Sequence, residues 1–161
     1  TANELSRFYQ LLLNEGTLDG VQIFEPRTIR RAVQETSYLE FDLTLVLPLR
    51  YAMGFMLGGT TFSLYGPDTA SAFGHLGFTN IISWADPARQ IAGALMTSGK
   101  PLIYPELYFL HDLMWTIDRV CTKTPRRTAQ LRRRVARPSR ARVAPARRGR
   151  PRLTDIPGRR A

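Results

Sequence analysis

The sequence predicts an α+β domain: an antiparallel sheet of about three to four strands packed with N-terminal helices and a C-terminal helix, then a disordered basic tail. Three observations predict it. Leu5, Phe8, Tyr9, Leu12 and Leu13 recur at the spacing of an amphipathic helix. Phe73-Gly74-His75-Leu76-Gly77-Phe78 begins a strand meander that turns at Asp86-Pro87-Ala88-Arg89 and continues through Gln90 to Thr97. The charge divides near Cys121: residues 1–121 hold 8 Lys+Arg against 12 Asp+Glu, a net of −4, and residues 122–161 hold 15 against one, a net of +14.

At 161 residues, the chain has enough material for one modest core. Thr1 followed by Glu4 has capping-box spacing, and Gly16 stands where the first helix should stop. Glu25-Pro26 opens a second short helix through about Gln34, with proline in its first turn and Arg27, Arg30 and Arg31 on its solvated face. In 37–49, Leu43, Leu45 and Leu47 alternate, but Pro48 limits any strand, which favours a loop or a lid beside a cleft. Arg50 to Gly58 reads as one strand ended by Gly58-Gly59, and Ile91 to Met96 as a buried strand. Leu102 to Val120 has Leu107, Leu110, Met114 and Ile117 at helical spacing, for a helix across the sheet.

The tail differs in kind. Of its 40 residues, 14 are Arg, 6 Ala, 5 Pro and 2 Gly, a composition that buries almost nothing and prevents a continuous helix. All four types have GC-rich codons, so a translated frameshift and a genuine basic tail both stand as origins. A genuine tail would bind nucleic acid or an anionic surface through phosphates, with little sequence preference.

Several classes of chemistry lack their residues. The single cysteine, Cys121, excludes an internal disulfide and a thiolate-rich metal cluster. There is no phosphate-binding Gly-rich Lys loop, no His-Glu-x-x-His helix and no Gly-x-Ser-x-Gly elbow, and no cofactor is expected. No apolar run approaches the roughly 20 residues that span a bilayer.

Phe73-Gly74-His75-Leu76-Gly77, with the strand, Asp-Pro turn, strand and helix that follow, resembles the third active-site motif of the β-lactamase-related serine hydrolases. These include class C β-lactamases, penicillin-binding proteins and related esterases, whose motif is Lys-Thr-Gly or a variant such as His-x-Gly. The helix of Ala2-Asn3-Glu4-Leu5-Ser6-Arg7-Phe8, the Gly16 to Gly20 segment, Pro26-Arg27-Thr28 and the Tyr51 to Phe55 strand resemble the same family. The resemblance implies a partial β-lactamase/transpeptidase-like fold over residues 1–121 and hydrolysis of a small ester or amide through an acyl-serine.

It also implies site roles. His75 would take the place of the motif lysine, donating a hydrogen bond or helping a proton move. Gly77 would let the strand approach the substrate, and the Phe78 backbone N–H would be an oxyanion donor. Leu76, where the family usually has a hydroxyl, would touch substrate and favour a neutral acyl group, hence an esterase. The nucleophile motif Ser-x-x-Lys is absent: the residues three positions before Lys100 and Lys123 are Thr97 and Val120. The sequence therefore reads as the C-terminal part of a hydrolase, inert alone, with an inactive truncated product or a tail-borne binding protein as alternatives.

Overall fold

The computed structural model describes residues 1–77, 81–98 and 105–125, without the side chains of 105–107. Residues 78–80, 99–104 and 126–161 lie outside the description, and with them Phe78 and all but the first residues of the basic tail.

Helix α1, Ala2–Leu13, starts at the Thr1 capping box and ends at Asn14. Glu15 and Gly16 then take positive φ, and the Gly16 N–H reaches the Leu11 carbonyl at 2.9 Å. A small hairpin of β1 (Thr17–Leu18) and β2 (Val21–Gln22) leads to α2, Pro26–Ala32. The main sheet holds β3 (Glu35–Asp42), β4 (Leu47–Ala52), β5 (Met56–Leu57), β6 (Phe73–Gly77), β7 (Ile81–Asp86) and β8 (Ile91–Leu95). Each strand pairs antiparallel with the next in chain order. Helix α3 covers Pro105–Val120.

Six strands stand where about three to four were expected. Glu35–Asp42 is a strand with register shifts between Glu35 and Ser37 and between Ser37 and Glu40, which erase its alternation. Pro48 is tolerated because β5 pairs with β4 only at Arg50 and Tyr51, so among the described residues no strand pairs with the start of β4 on that side. The single strand expected over Arg50 to Gly58 is two, folded back at Gly54, whose φ of +90° is a turn conformation.

The sheet is covered on both faces. Tyr9, Leu12, Leu13 and Ile29 pack on one face against Phe73 and Ala85. Leu110 and Met114 of α3 pack on the other against Met56, Leu76, Ile82 and Trp84. The Trp84 ring lies over Gly93 of β8, where a Cβ would come within 2.5 Å of it, while its other register partner, Gly74 of β6, sits close against the Trp84 Cα and Cβ, which a Cβ there would meet at 2.7 and 2.8 Å. Glycine at both positions lets the three strands of the meander lie close around Trp84.

The β3–β4 hairpin is pinned by the Tyr51 hydroxyl, which donates to Asp42 Oδ2 at 2.5 Å, while Asp42 Oδ1 accepts from the Thr44 and Leu45 N–H groups. Burial, the hydrogen bond to Asp42 and that carboxylate's charge together push the Tyr51 phenol from 10.0 up to about 12. The folded protein thus holds this proton where the unfolded chain releases it, so the contribution of Tyr51 to stability is complete below pH about 10 and is lost as pH rises from there through 12. In an ultraviolet titration, the step lost on Tyr51→Phe is expected near pH 12, and Asp42→Asn should move it down toward 10. An unmoved step in the asparagine variant would show that Asp42 does not hold the proton.

Candidate active site

The pleat of β6 decides which motif residues share a surface. Phe73, His75 and Gly77 point to the α1 side of the sheet, and Gly74 and Leu76 to the α3 side. His75 is exposed. Its Nδ1 lies 2.9 Å from the Leu76 carbonyl oxygen, which can only accept, so Nδ1 carries the hydrogen and donates. In the neutral ring this leaves Nε2 as a lone-pair nitrogen, available to accept a hydrogen bond or a proton.

Leu76 is placed differently from the substrate contact expected of it. Its side chain is 6% exposed and packs in the cluster with Ile82, Trp84 and Met114, because the residue next to an outward-facing one in a strand faces inward. Gly77 stands at the strand end, where a Cβ would meet only the Ile81 carbonyl and side chain at 3.4 and 3.5 Å, ordinary contacts. Packing among the described residues does not require glycine there. Phe78 lies outside the described residues.

The strand edge beside His75 is open. β5 pairs with β6 only at Gly74 and Phe73, so among the described residues no strand pairs with His75–Gly77 on that side. Such an edge offers backbone groups to an extended ligand. On the other side Ser83 lies directly across from His75, and the Tyr9 hydroxyl bonds to Ser83. Burial raises the Tyr9 phenol and the Ser83 hydrogen bond partly opposes that rise. Tyr9 packs with Phe73 and Ala85 and so seats α1 on the face of the sheet that carries His75. Reading β7 with period two would have placed Ser83 on the face of His75, but only the fold brings Tyr9 to it.

His111 and Asp112 lie on α3. His111 stacks on Phe62 at 5.9 Å and leans on Trp115 at 5.1 Å. Among the described residues no group of three or more His, Cys, Asp or Glu could hold a metal ion, and no helix is long and apolar enough to cross a membrane.

A family model described as Beta-lactamase matches residues 1–106, which include α1, the glycine-flanked histidine strand and the whole main sheet. The chain belongs to the Beta-lactamase family.

Among its relatives are the Esterase/beta-lactamase LipL of Mycobacterium tuberculosis (strain ATCC 25618 / H37Rv), 28% identical over 96 residues, covering 60% of this chain and 21% of that protein. The N-acetylmuramyl-L-alanine amidase of Bacillus subtilis (strain 168) is 29% identical over 110 residues, covering 65% of this chain and 23% of that protein. A penicillin-binding protein homolog from Caulobacter crescentus has a similar structure, with TM-score 0.57 and 34% identity, covering 68% of this chain and 29% of that one. A family VIII carboxylesterase shares the fold with TM-score 0.57 at 24% identity, covering 73% of this chain and 31% of that one. The chain thus spans between a fifth and a third of the length of these proteins.

Proposed function

We propose that the chain supplies the sheet wall of an acyl-transfer site in a serine hydrolase of the Beta-lactamase family, and that this wall acts with a Ser-x-x-Lys segment carried outside these 161 residues. The exposed His75, set on an open strand edge with Nε2 unengaged by its Leu76 contact, is the observation that carries the reading. In that role His75 donates to or relays a proton for the reacting oxygen, and the open edge aligns the substrate. The Phe78 N–H is the proposed oxyanion donor. Gly77 keeps the edge free of side-chain bulk where a substrate would lie.

An ester is the favoured substrate. Position 76 brings no hydroxyl to hold a substrate carboxylate, its leucine being committed to the core, and one relative carries the name Esterase/beta-lactamase. The 161-residue chain alone is expected to leave a short-chain p-nitrophenyl ester unhydrolysed and to resist a fluorophosphonate serine probe. Co-expression with a Ser-x-x-Lys segment encoded upstream should restore hydrolysis, and His75→Ala should then lower kcat by about 10²-fold or more. Robust hydrolysis by the chain alone, lost in His75→Ala, would refute the divided site; restored hydrolysis indifferent to His75→Ala would refute the role of the histidine.

A further inference from the structure

A second concave surface lies at the other end of β5 and β6. A cleft of about 460 Å³ opens between the β3–β4 hairpin and the loop Gly59 to Ser63, and neither His75 nor Gly77 lines it. Its volume falls within the ~300–1,000 Å³ typical of small-molecule sites.

The walls are built in three ways. Tyr38 and Leu39 occupy the irregular stretch of β3, and Leu39 has a φ of +52°, which a bulky side chain rarely adopts. This bulge brings both residues to the cleft, where they stay exposed together with Phe62 on the opposite wall. The loop wall is clamped in place: the Gly58 N–H donates to Ala72 O at 2.8 Å, Thr69 N–H to Gly59 O at 2.9 Å and Asp68 N–H to Thr60 O at 2.9 Å. A preformed wall spares a ligand the cost of ordering it.

The cleft's electrostatics select the ligand. Among the described residues Arg50 is the sole charged one lining it. Its Nε and Nη2 donate to the two Glu35 carboxylate oxygens at 2.7 and 3.0 Å, and its Nη1 donates to Gly58 O at 2.5 Å. The Tyr38 ring stands 5.8 Å from the guanidinium carbon. Each guanidinium nitrogen already makes a hydrogen bond and the Glu35 carboxylate offsets its charge, so an anion gains little from Arg50 unless Glu35 leaves. Thr60 and Thr61 add hydroxyls to otherwise largely apolar walls.

We propose that this cleft binds a neutral, mainly apolar small molecule with one hydrogen-bonding group directed at the threonine hydroxyls. The proposal is independent of the role assigned to His75.

The test titrates the full chain with N-phenylnaphthylamine, a neutral dye that brightens in apolar sites, and with the anionic anilinonaphthalenesulfonate. Saturable one-to-one binding of the neutral dye is expected, with the anionic dye at least about tenfold weaker, since charge must then be desolvated without a partner. Leu39→Gly suits the positive φ and so should keep the fold while removing a wall, weakening the neutral dye about tenfold or more. Ala70→Trp, at an exposed lining position, should fill the cleft and do the same. Leu43→Ser, at the exposed hairpin tip away from the cleft, should leave binding unchanged. Non-saturable binding, equal affinity for the anionic dye, indifference to both Leu39→Gly and Ala70→Trp, or an equal loss in Leu43→Ser would each overturn the proposal.

Discussion

Arg89→Ala is expected to destabilise the protein by about 3–5 kcal/mol at neutral pH, the range for stripping one partner from a buried ion pair. Arg89 sits in the β7–β8 turn with its side chain 5% exposed. Its Nη1 donates to Asp86 Oδ2 at 2.7 Å and to the Asp68 carbonyl at 3.2 Å, and its Nη2 pairs with Asp118 near the end of α3. Asp86 Oδ1 is held separately by the Ser71 hydroxyl and the Ala88 N–H, both at 2.9 Å. Alanine would therefore leave the buried Asp86 carboxylate beside the partly buried Asp118 carboxylate with their shared cation gone.

The loss should depend on pH. Burial already raises the Asp118 carboxyl, against the opposing pull of Arg89. A raised carboxyl costs stability as pH climbs through its folded value, and without Arg89 that value rises further. The variant should accordingly recover part of its deficit in mild acid, where protonation removes the unpaired charge. Urea unfolding of both proteins across pH would measure this. A loss below about 1 kcal/mol at neutral pH would mean that the triad is no more than a solvated surface pair.

That triad was not legible in the sequence, because an arginine in an Asp-Pro turn reads as an exposed charge until the end of α3 is known to close over it. The chain also stays docked just past Cys121, with the Thr124 N–H on Ala88 O at 2.9 Å and Lys123 on Asp68 at 2.5 Å. What was legible rests on local rules. The Thr1 capping box, Pro26 in the first turn of α2, the Asp86-Pro87 hairpin and the stripe of α3 each depend on neighbours within a few residues. β3 was missed because its bulge at Tyr38 and Leu39 breaks the period that marks a strand. At the site, the glycines around His75 marked the strand, but Leu76 had been expected to touch substrate. The pleat gives the motif residues two surfaces, and sends Leu76 to the core.

Gly74→Ala should cost about 3 kcal/mol, at the upper end for overpacking, because the obstruction is backbone that cannot rotate away. A Cβ at Gly74 would stand 2.1 Å from the Ser83 carbonyl oxygen and 2.7 Å from the Trp84 Cα. Relief requires β6 and β7 to part, and Trp84 cannot yield sideways, since a Cβ at Gly93 would already come within 2.5 Å of its ring. Gly77→Ala, three residues along the same motif, meets nothing among the described residues closer than 3.4 Å and has no positive φ to strain. It should be neutral, or stabilising by about 0.4–1 kcal/mol through the entropy of the unfolded chain. Chemical unfolding of the two variants, with the near-ultraviolet tryptophan signal as a probe of packing, separates the two glycines. A greater loss in Gly77→Ala would reverse the assignment of Gly74 to packing and Gly77 to the ligand side. The expected order makes Gly74 the residue that fixes the strand in place and leaves Gly77 free for the role proposed for it beside His75.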